Sequence, residues 1–168
     1  STRRIEGEFT ISLEEAFSGT KLNVSFPSGD SERRLELTVP PGVDTGSVVR
    51  VSPDNDVEVL INITVSRHPR FQRDGADLHV EIEVPFEDAI LGSETDVHTL
   101  KGRVRLKIPA GSQNGQKIRL AGQGMPSLNA PQSRGDLFVT LRPQLPSDLT
   151  EEAKDLLKQL KELRSRQE

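Results

Sequence analysis

Two phrases of the sequence occur twice, in the same order. SLEEAFSG at residues 12–19 is matched by PFEDAILG at residues 85–92, at an offset of 73 residues. Further along, VPPGVDTGSVVRV at 39–51 is matched by IPAGSQNGQKIRL at 108–120, at an offset of 69 residues. Chance similarity between amphipathic segments would not preserve the order of two unrelated phrases. The chain is therefore predicted to be an internal duplication, in which one structural unit is built twice.

The segments around these phrases predict a mainly β structure. Polar and apolar residues alternate over short segments that are bounded by Gly, Pro, Asp or Ser, and this period of two is typical of half-buried antiparallel strands. Ser12 and Glu15 have the spacing of a capping box, and Gly19 is placed to end a short helix. Each copy is thus expected to be a β-sandwich-like unit with one short helix. The predicted strands lie at 22–26, 33–39, 57–65, 78–84, 103–108 and 136–141.

The predicted boundaries divide the chain into a first β subdomain at 1–75, a second at 76–146 and a C-terminal helix at 147–168. In the last part, Thr150 is a candidate N-cap and two glutamates follow it, which favours the start of a helix. Leucines recur along this helix at helical spacing, so one face is apolar. They either pack on the preceding sandwich or form the seam of a homodimer, and the pattern leaves both possibilities open. The candidate dimerisation residues are Leu156, Leu157, Leu160 and Leu163.

Composition argues against several classes of function. The net charge of −4 provides no basic surface for phosphates, and there is no Trp or Tyr to stack on bases or sugars, so nucleic acid is a poor candidate partner. The absence of cysteine excludes disulfides and cysteine-ligated zinc, and it suits a reducing compartment. No apolar run approaches the roughly 18 residues that span a membrane. We expect a cytoplasmic protein with no membrane partner and no cofactor.

Residues with catalytic potential form no recognisable active site. The three histidines are far apart, and no spacing of histidines and carboxylates suggests a metal site. The paired acidic residues at 14–15 and 87–88 fall in or beside the first turns of short helices, where the helix dipole explains them. The Gly-x-Gly at 122–124 and the Arg-Gly-Asp at 134–136 are interpreted as turns, not as a phosphate loop or an adhesion signal. The chain is predicted not to be an enzyme.

Comparison of the two copies identifies a candidate binding surface. Residues 22–26 align with 95–99, and the apolar positions of the first copy become partly polar in the second. On the preceding strand, Ile5, Phe9 and Ile11 share one face. Two neighbouring strands could thus present an apolar strip, which is either ordinary core or a groove where an extended peptide adds as a further strand. The candidate peptide-binding residues are Ile5, Phe9, Ile11, Leu22, Val24 and Phe26.

Five phrases, in order over nearly the whole chain, resemble the carboxy-terminal region of the DnaJ family of J-domain co-chaperones. The resemblance implies two tandem β subdomains, a groove in the first that captures unfolded polypeptide for a DnaK-type ATPase chaperone, and a C-terminal helix that forms a homodimer. By position, the family's groove maps onto the strand ending at Phe9 and the strand at 22–26. Because cysteine is absent, the chain resembles the zinc-less type, similar to the DnaJ-like curved-DNA-binding protein class or to zinc-lacking bacterial DnaJ. The phrases are SLEEAFSG, VPPGVDTGSVVRV, HPRFQRDGADLHVEIEVPFEDAILG, IPAGSQNGQKIRLAGQGMP and RGDLFV.

The chain departs from the family pattern at two places. His-Pro-Arg at 68–70 lacks the aspartate of the His-Pro-Asp motif that stimulates the ATPase. The first copy lacks the Gly-x-Gly and Gly-Asp-Leu phrases that the second copy keeps, so its hairpin is expected to be shorter than is usual in the family. The leading prediction is a non-enzymatic co-chaperone module that captures exposed apolar client segments and presents them to a DnaK-type chaperone. The alternative is a tandem β-sandwich that serves only as a spacer and dimerisation scaffold. Under the leading prediction, Phe9→Ala or Phe26→Ser is expected to lose client binding while the fold survives.

Overall fold

The secondary structure follows the repeat. In the computed structural model, which describes residues 2–167, two halves of similar element order are followed by a long helix. The first half contains β1 (Arg3–Ile11), α1 (Leu13–Ser18), β2 (Thr20–Ser28), β3 (Ser31–Val39), β4 (Val48–Asp54) and β5 (Val57–Val65). The rest contains β6 (Gln72–Asp74), β7 (Asp77–Pro85), α2 (Phe86–Leu91), β8 (Ser93–His98), β9 (Arg103–Ile108), β10 (Lys117–Leu120), β11 (Leu137–Gln144) and α3 (Glu151–Gln167).

Both halves pair their strands by the same scheme. In the first, a sheet of order β1-β5-β4 accompanies the hairpin β2-β3; in the second, a sheet of order β10-β11-β7-β6 accompanies the hairpin β8-β9. Each half also carries one short helix, and the predicted mainly β fold is confirmed. The expectation of antiparallel strands is wrong for β1-β5 and β7-β11, which are parallel. Alternation reports which face of a strand is buried and says nothing of its direction, so the sequence pattern could not distinguish the two.

The core lies on the inward faces of these sheets. Along the central strand of the first half, Val59, Ile61 and Ile63 are buried, and Leu37 and Val39 on β3 are buried as well. The second half repeats this arrangement with Leu137, Val139 and Leu141 on β11 and with Leu106 and Ile108 on β9. The alternating pattern of the sequence therefore marks the faces that the sheets bury against each other.

The short helix of the first half begins and ends where predicted. The hydroxyl of Ser12 accepts a hydrogen bond from the amide of Glu15, and the Ser12 amide donates to the Glu15 carboxylate, each at 3.0 Å. Gly19 ends the helix with φ of 79°, a left-handed conformation that favours glycine. The predicted capping box is confirmed, and α1 is thereby fixed as the connection between β1 and β2.

The side chain of Arg73 joins the two halves. The guanidinium of Arg73 donates to the carbonyls of Val43, at 2.7 Å, and Gly42, at 3.3 Å. Its Nε donates to the carbonyl of Gly75 at 2.9 Å, so one side chain holds the 40–46 turn of the first half against the β6-β7 turn. Burial of the guanidinium lowers the pKa of Arg73. The division at residue 75 remains a prediction, although β6 pairs with β7 and so belongs to the second sheet.

The C-terminal helix is amphipathic and lies largely in solvent. The hydroxyl of Thr150 accepts a hydrogen bond from the amide of Ala153 at 3.1 Å, so Thr150 is the N-cap that the sequence indicates. None of the described residues of α3 is buried, and its leucines are exposed. The chain itself therefore leaves the apolar face of α3 largely uncovered. Within residues 2–167, no helix has the length and apolarity to cross a membrane.

Candidate functional site

Strands β1 and β2 each have one edge that no other strand of the described chain pairs with. β1 pairs only with β5, and β2 pairs only with β3. At one end the two strands are joined by α1, and at the other the guanidinium of Arg3 donates a hydrogen bond to the carbonyl of Pro27. β1 and β2 therefore run in opposite directions and form no ladder with each other. The surface at their unpaired edges is named the β1-β2 groove below.

The six residues predicted for peptide binding fall into two groups. Ile5, Phe9 and Leu22 are partly exposed and pack against the core, so a ligand in the β1-β2 groove could contact them directly. The other three are buried and belong to the core beneath the groove. The structure thus brings all six to one region but leaves only half of them accessible. Their binding role stays a prediction. The buried group consists of Ile11, Val24 and Phe26.

Two arginines cover the ring of Phe26, which is only 2% exposed. The Arg3 guanidinium lies 5.8 Å from the ring centroid, and that of Arg33 lies 5.9 Å from it. Arg33 is held there by an ion pair with Asp54 at 2.6 Å, and the side-chain hydrogen bond of Arg33 lowers the pKa of the Asp54 carboxyl. Long basic side chains commonly cover apolar groups with their stems. The end of the groove near Phe26 is therefore closed, which the sequence pattern did not show.

Two further residues line this region and were missed. Gly7 lies between Ile5 and Phe9 on the inward face of β1, and a Cβ there would approach the terminal methyl of Ile61 to 3.2 Å. A larger residue at position 7 would therefore press on Ile61. Leu35 on β3 is partly exposed and pairs with Val24. An isolated glycine within an alternating strand is the signal that could have identified the first of these.

In the second copy, part of the edge that corresponds to the free edge of β1 is occupied. β7 occupies the position of β1, but β6 pairs with its outer edge at residues 77–79. Leu78, which corresponds to Ile5 in the repeat, is fully buried. β6 is short and was not predicted, although its turn at Asp74-Gly75 is a common hairpin signal. The difference between the copies therefore lies in strand pairing as well as in side-chain polarity.

The acidic residues of α1 have structural partners. Glu15 completes the capping box, and Glu14 lies 2.6 Å from the Nε2 atom of His68, which follows β5. The Nδ1 atom of His68 accepts hydrogen bonds from the amides of Arg70 and Phe71, so its Nε2 carries the proton that faces Glu14. The backbone amide of Glu14, followed by His68, lowers the pKa of that carboxyl. These contacts tie α1 to the segment that enters the second half.

The Gly-x-Gly and Arg-Gly-Asp segments are structural turns. A Cβ on Gly124 or Gly135 would lie 2.4 or 2.1 Å from the carbonyl oxygen of Ala76, so only glycine permits this approach of three chain segments. The Asp136 carboxylate accepts hydrogen bonds from the Gly122 amide, at 3.0 Å, and from Arg119, at 2.7 Å. The Gly122 amide, followed by Arg119, lowers the pKa of Asp136. The interpretation of both motifs as turns agrees with this packing.

A second apolar surface lies between α2 and α3. Ile90 and Leu91 on α2 are 55% and 76% exposed, and they line a cleft with Leu156, Leu157 and Leu160 on α3. The repeat places Phe17 and Ser18 of α1 at the positions of Ile90 and Leu91, and there the ring of Phe17 is covered by Arg134 at 4.9 Å. The exposed apolar residues of α2 were not predicted as part of any site. We name this surface the α2-α3 cleft.

The family model and the similar proteins that match this chain all point to the same family. The family model described as DnaJ C terminal domain matches residues 5–146. A "Chaperone protein DnaJ" from Deinococcus proteolyticus is 38% identical over 163 residues, which covers 96% of this chain and 51% of that protein. Proteins of the same name from Bartonella quintana and Caldicellulosiruptor bescii are 38% and 35% identical, over 80% of this chain and 38% and 36% of their own lengths. The chain thus spans about half, or less, of these relatives.

Proposed function

The chain belongs to the DnaJ C-terminal domain family, and we propose that it acts there as a client-binding module. In this proposal it captures exposed apolar segments of unfolded or misfolded polypeptides and presents them to a DnaK-type ATPase chaperone. Its relatives carry the name of a chaperone, and the proposed activity requires no catalysis and no cofactor. We also propose a cytoplasmic location, because a chain without cysteine suits a reducing compartment.

One observation carries the proposal: β1 and β2 present unpaired edges beside partly exposed apolar side chains. An extended client segment could extend the β2-β3 hairpin through backbone hydrogen bonds, which are independent of client sequence. Its alternate side chains would then contact Ile5, Phe9 and Leu22. Backbone pairing combined with a few apolar contacts suits a protein that must accept many different clients.

The size of the accessible strip favours weak and reversible binding. Burial of two or three client side chains contributes about 1.5–3 kcal/mol each before the ordering costs are subtracted. This corresponds to an affinity of about micromolar or weaker. Two such grooves in one dimer could bind one long client together and raise the effective affinity without new contacts.

Replacing Leu22 tests the groove with little change in core packing. Leu22→Thr installs the residue that the second copy has at the equivalent position, Thr95. We expect the affinity for an unfolded model protein, reduced and carboxymethylated α-lactalbumin, to fall about tenfold, because one partly exposed apolar contact is lost. Fluorescence anisotropy with the labelled model protein measures this affinity.

The matched control for this experiment is Val48→Thr. Val48 is exposed on β4 and lies away from the β1-β2 groove, so its replacement should leave the affinity unchanged. If neither variant alters binding, the groove is not the client site. If the unmodified chain fails to bind the unfolded protein at all, the alternative of a spacer and dimerisation scaffold is favoured.

We further propose that the chain forms a homodimer through α3, using Leu156, Leu157, Leu160 and Leu163. Their exposure supports this role, because an apolar helix face of four leucines is costly to leave in water. Ile90 and Leu91 extend the same surface onto α2, so the α2-α3 cleft could receive leucines of the partner's helix. The seam would then join the second subdomains and leave both β1-β2 grooves free.

Charge introduced into α3 should dissociate this dimer. We expect the double variant Leu157→Glu and Leu160→Glu to have the mass of a single chain, 18.5 kDa, because carboxylates are strongly disfavoured in an apolar seam. Multi-angle light scattering measures the mass. Lys158→Glu, on the face of the same helix opposite the leucines, is the control and should remain dimeric. A mass that is the same in all three proteins would refute the role of α3.

A further inference from the structure

A polar cleft lies on the outer face of the second large sheet, away from both apolar surfaces. It has a volume of about 590 Å³ and opens between the β-sheet and the segment that enters β6. Strand pairing aligns Lys117 on β10, Thr140 on β11 and Glu81 on β7 in one row across its floor. Arg70 and Arg142 line its sides. The cleft thus brings together three basic side chains from separate segments.

The basic groups of this cleft exceed its acidic groups. Arg142 donates to Glu81 at 2.8 Å, and this hydrogen bond lowers the pKa of the Glu81 carboxyl, so the pair is internally compensated. Within residues 2–167, Arg70 and Lys117 have no carboxylate within ion-pair distance. Both side chains are positively charged, although the chain as a whole has a net charge of −4. Lys117 is therefore available to an anionic ligand. Arg70 adds its positive charge, although its guanidinium lies 5.0 Å from the Phe71 ring centroid and donates to the His98 carbonyl at 3.5 Å.

The floor of the cleft contains a polar group without an internal partner. Thr140 is only 8% exposed, and among the described residues no side chain or backbone group forms a hydrogen bond with its hydroxyl. Among the described residues this oxygen is not one of the buried side-chain atoms that lack a partner, so it is reachable from the cleft and free to bond a ligand. Beside it, His79 stacks on Phe138 with the ring centroids 5.2 Å apart, which gives the cleft a firm wall. Thr140 can donate to an acceptor that enters between the cations.

The first subdomain does not have these charges at the equivalent positions. Its corresponding row consists of Val48 on β4, Asn62 on β5 and Glu8 on β1. The position of Lys117 is thus occupied by an apolar residue, and Glu6 stands where the second copy has His79. Both copies keep a glutamate in this row, Glu8 or Glu81, and they differ at the position of Lys117. The lysine in the cleft is therefore particular to the second subdomain.

We propose that this cleft binds the carboxylates of an acidic, extended segment of a partner protein. It continues into a neighbouring cleft of about 450 Å³ that shares Gln72, His79 and Lys117, so the site is elongated and open. An elongated polar trough fits an extended chain better than a compact ligand. Arginine and lysine bind carboxylates by charge-assisted hydrogen bonds, and the Thr140 hydroxyl adds a neutral donor. This proposal concerns a different subdomain and ligand chemistry from the β1-β2 groove.

The test uses the full chain and a fluorescein-labelled peptide of alternating glutamate and glycine. We expect Lys117→Glu to weaken binding about tenfold at low ionic strength, because it places a like charge in the trough. Thr140→Val keeps the shape of the side chain, removes the hydroxyl and should weaken binding about threefold. Lys107→Gln is the matched control, since Lys107 is also exposed on this subdomain, lies on β9 and should bind as the unmodified chain does.

Several outcomes would overturn this proposal. Equal binding of the glutamine-glycine peptide would show that carboxylates are not recognised. Unchanged affinity in both Lys117→Glu and Thr140→Val, with unaltered melting temperatures, would place the acidic peptide elsewhere. Competition by inorganic phosphate as effective as that of the peptide itself would indicate a small-anion site. The Leu22→Thr variant should retain acidic-peptide binding, so failure of the groove proposal and failure of this one are distinguishable.

Discussion

Phe26→Ala is expected to lower the free energy of unfolding by about 3–5 kcal/mol, the usual cost of removing a buried phenylalanine. The ring is 2% exposed, lies in the core and is covered by Arg3 and Arg33. Truncation would leave a cavity and would remove the surface on which both guanidinium groups rest. Urea denaturation, followed by circular dichroism and compared with the unmodified chain, measures the change.

This result would distinguish the buried residues beneath the β1-β2 groove, which stabilise the fold, from the partly exposed residues that a client could contact. Sequence reasoning treats Phe9 and Phe26 alike and expects the fold to survive either substitution, whereas the burial of Phe26 predicts a loss of stability. Leu22→Thr serves as the comparison, because its side chain is partly exposed and its replacement should have a smaller effect on unfolding. If Phe26→Ala instead abolished client binding at unchanged stability, the ring would have to be accessible in solution.

Arg73→Met is expected to lower the free energy of unfolding by about 3 kcal/mol or more, since several charge-assisted hydrogen bonds are lost at once. Arg73 donates to the carbonyls of Gly42, Val43 and Gly75, and its side chain is only 12% exposed. Methionine has a similar unbranched stem but cannot donate, so these carbonyls lose their partner. We also expect faster hydrogen exchange in the 40–46 turn, which mass spectrometry measures.

Arg50→Met is the matched control for Arg73→Met. Arg50 forms an ion pair with Glu58 at 3.0 Å, but its side chain is 67% exposed. Exposed ion pairs contribute about 0–1 kcal/mol, so this variant should unfold close to the unmodified chain. Equal stability of the Arg73 and Arg50 variants, with equal exchange in the turn, would show that Arg73 does not hold the two halves together.

Much of the local structure could be predicted because its signals are local. The alternation at 57–65 and 103–108 matches the bounds of β5 and β9, and the capping box at Ser12 places the start of α1 correctly. Parallel pairing of β1 with β5 could not be predicted, because direction depends on how the chain crosses between the sheets. The three-residue strand β6 was missed, since a segment so short carries almost no periodic signal.

The candidate site was predicted only in part. Comparison of the copies identified the strands β1 and β2, and these strands do have the unpaired edges. It could not rank the residues within them by exposure, because Ile5 and Ile11 have the same place in the alternation and differ only in what covers them. The exposed Ile90 and Leu91 were also missed, since they become a surface only when α3 lies beside α2.

The sequence by itself determined the duplication, the alternating faces of the strands and the ends of the short helices. These properties depend on neighbouring residues and on fixed periods along the chain. Only the tertiary structure decided which strand edges stay open and which apolar residues are covered. β6 occupies the edge of β7 while β1 remains free, and Arg3 from β1 joins Arg33, the cross-strand partner of Phe26, in covering its ring. The pairing of β1 with β5 and the contact of Arg3 with Phe26 join segments far apart in the chain, so no local pattern can specify them.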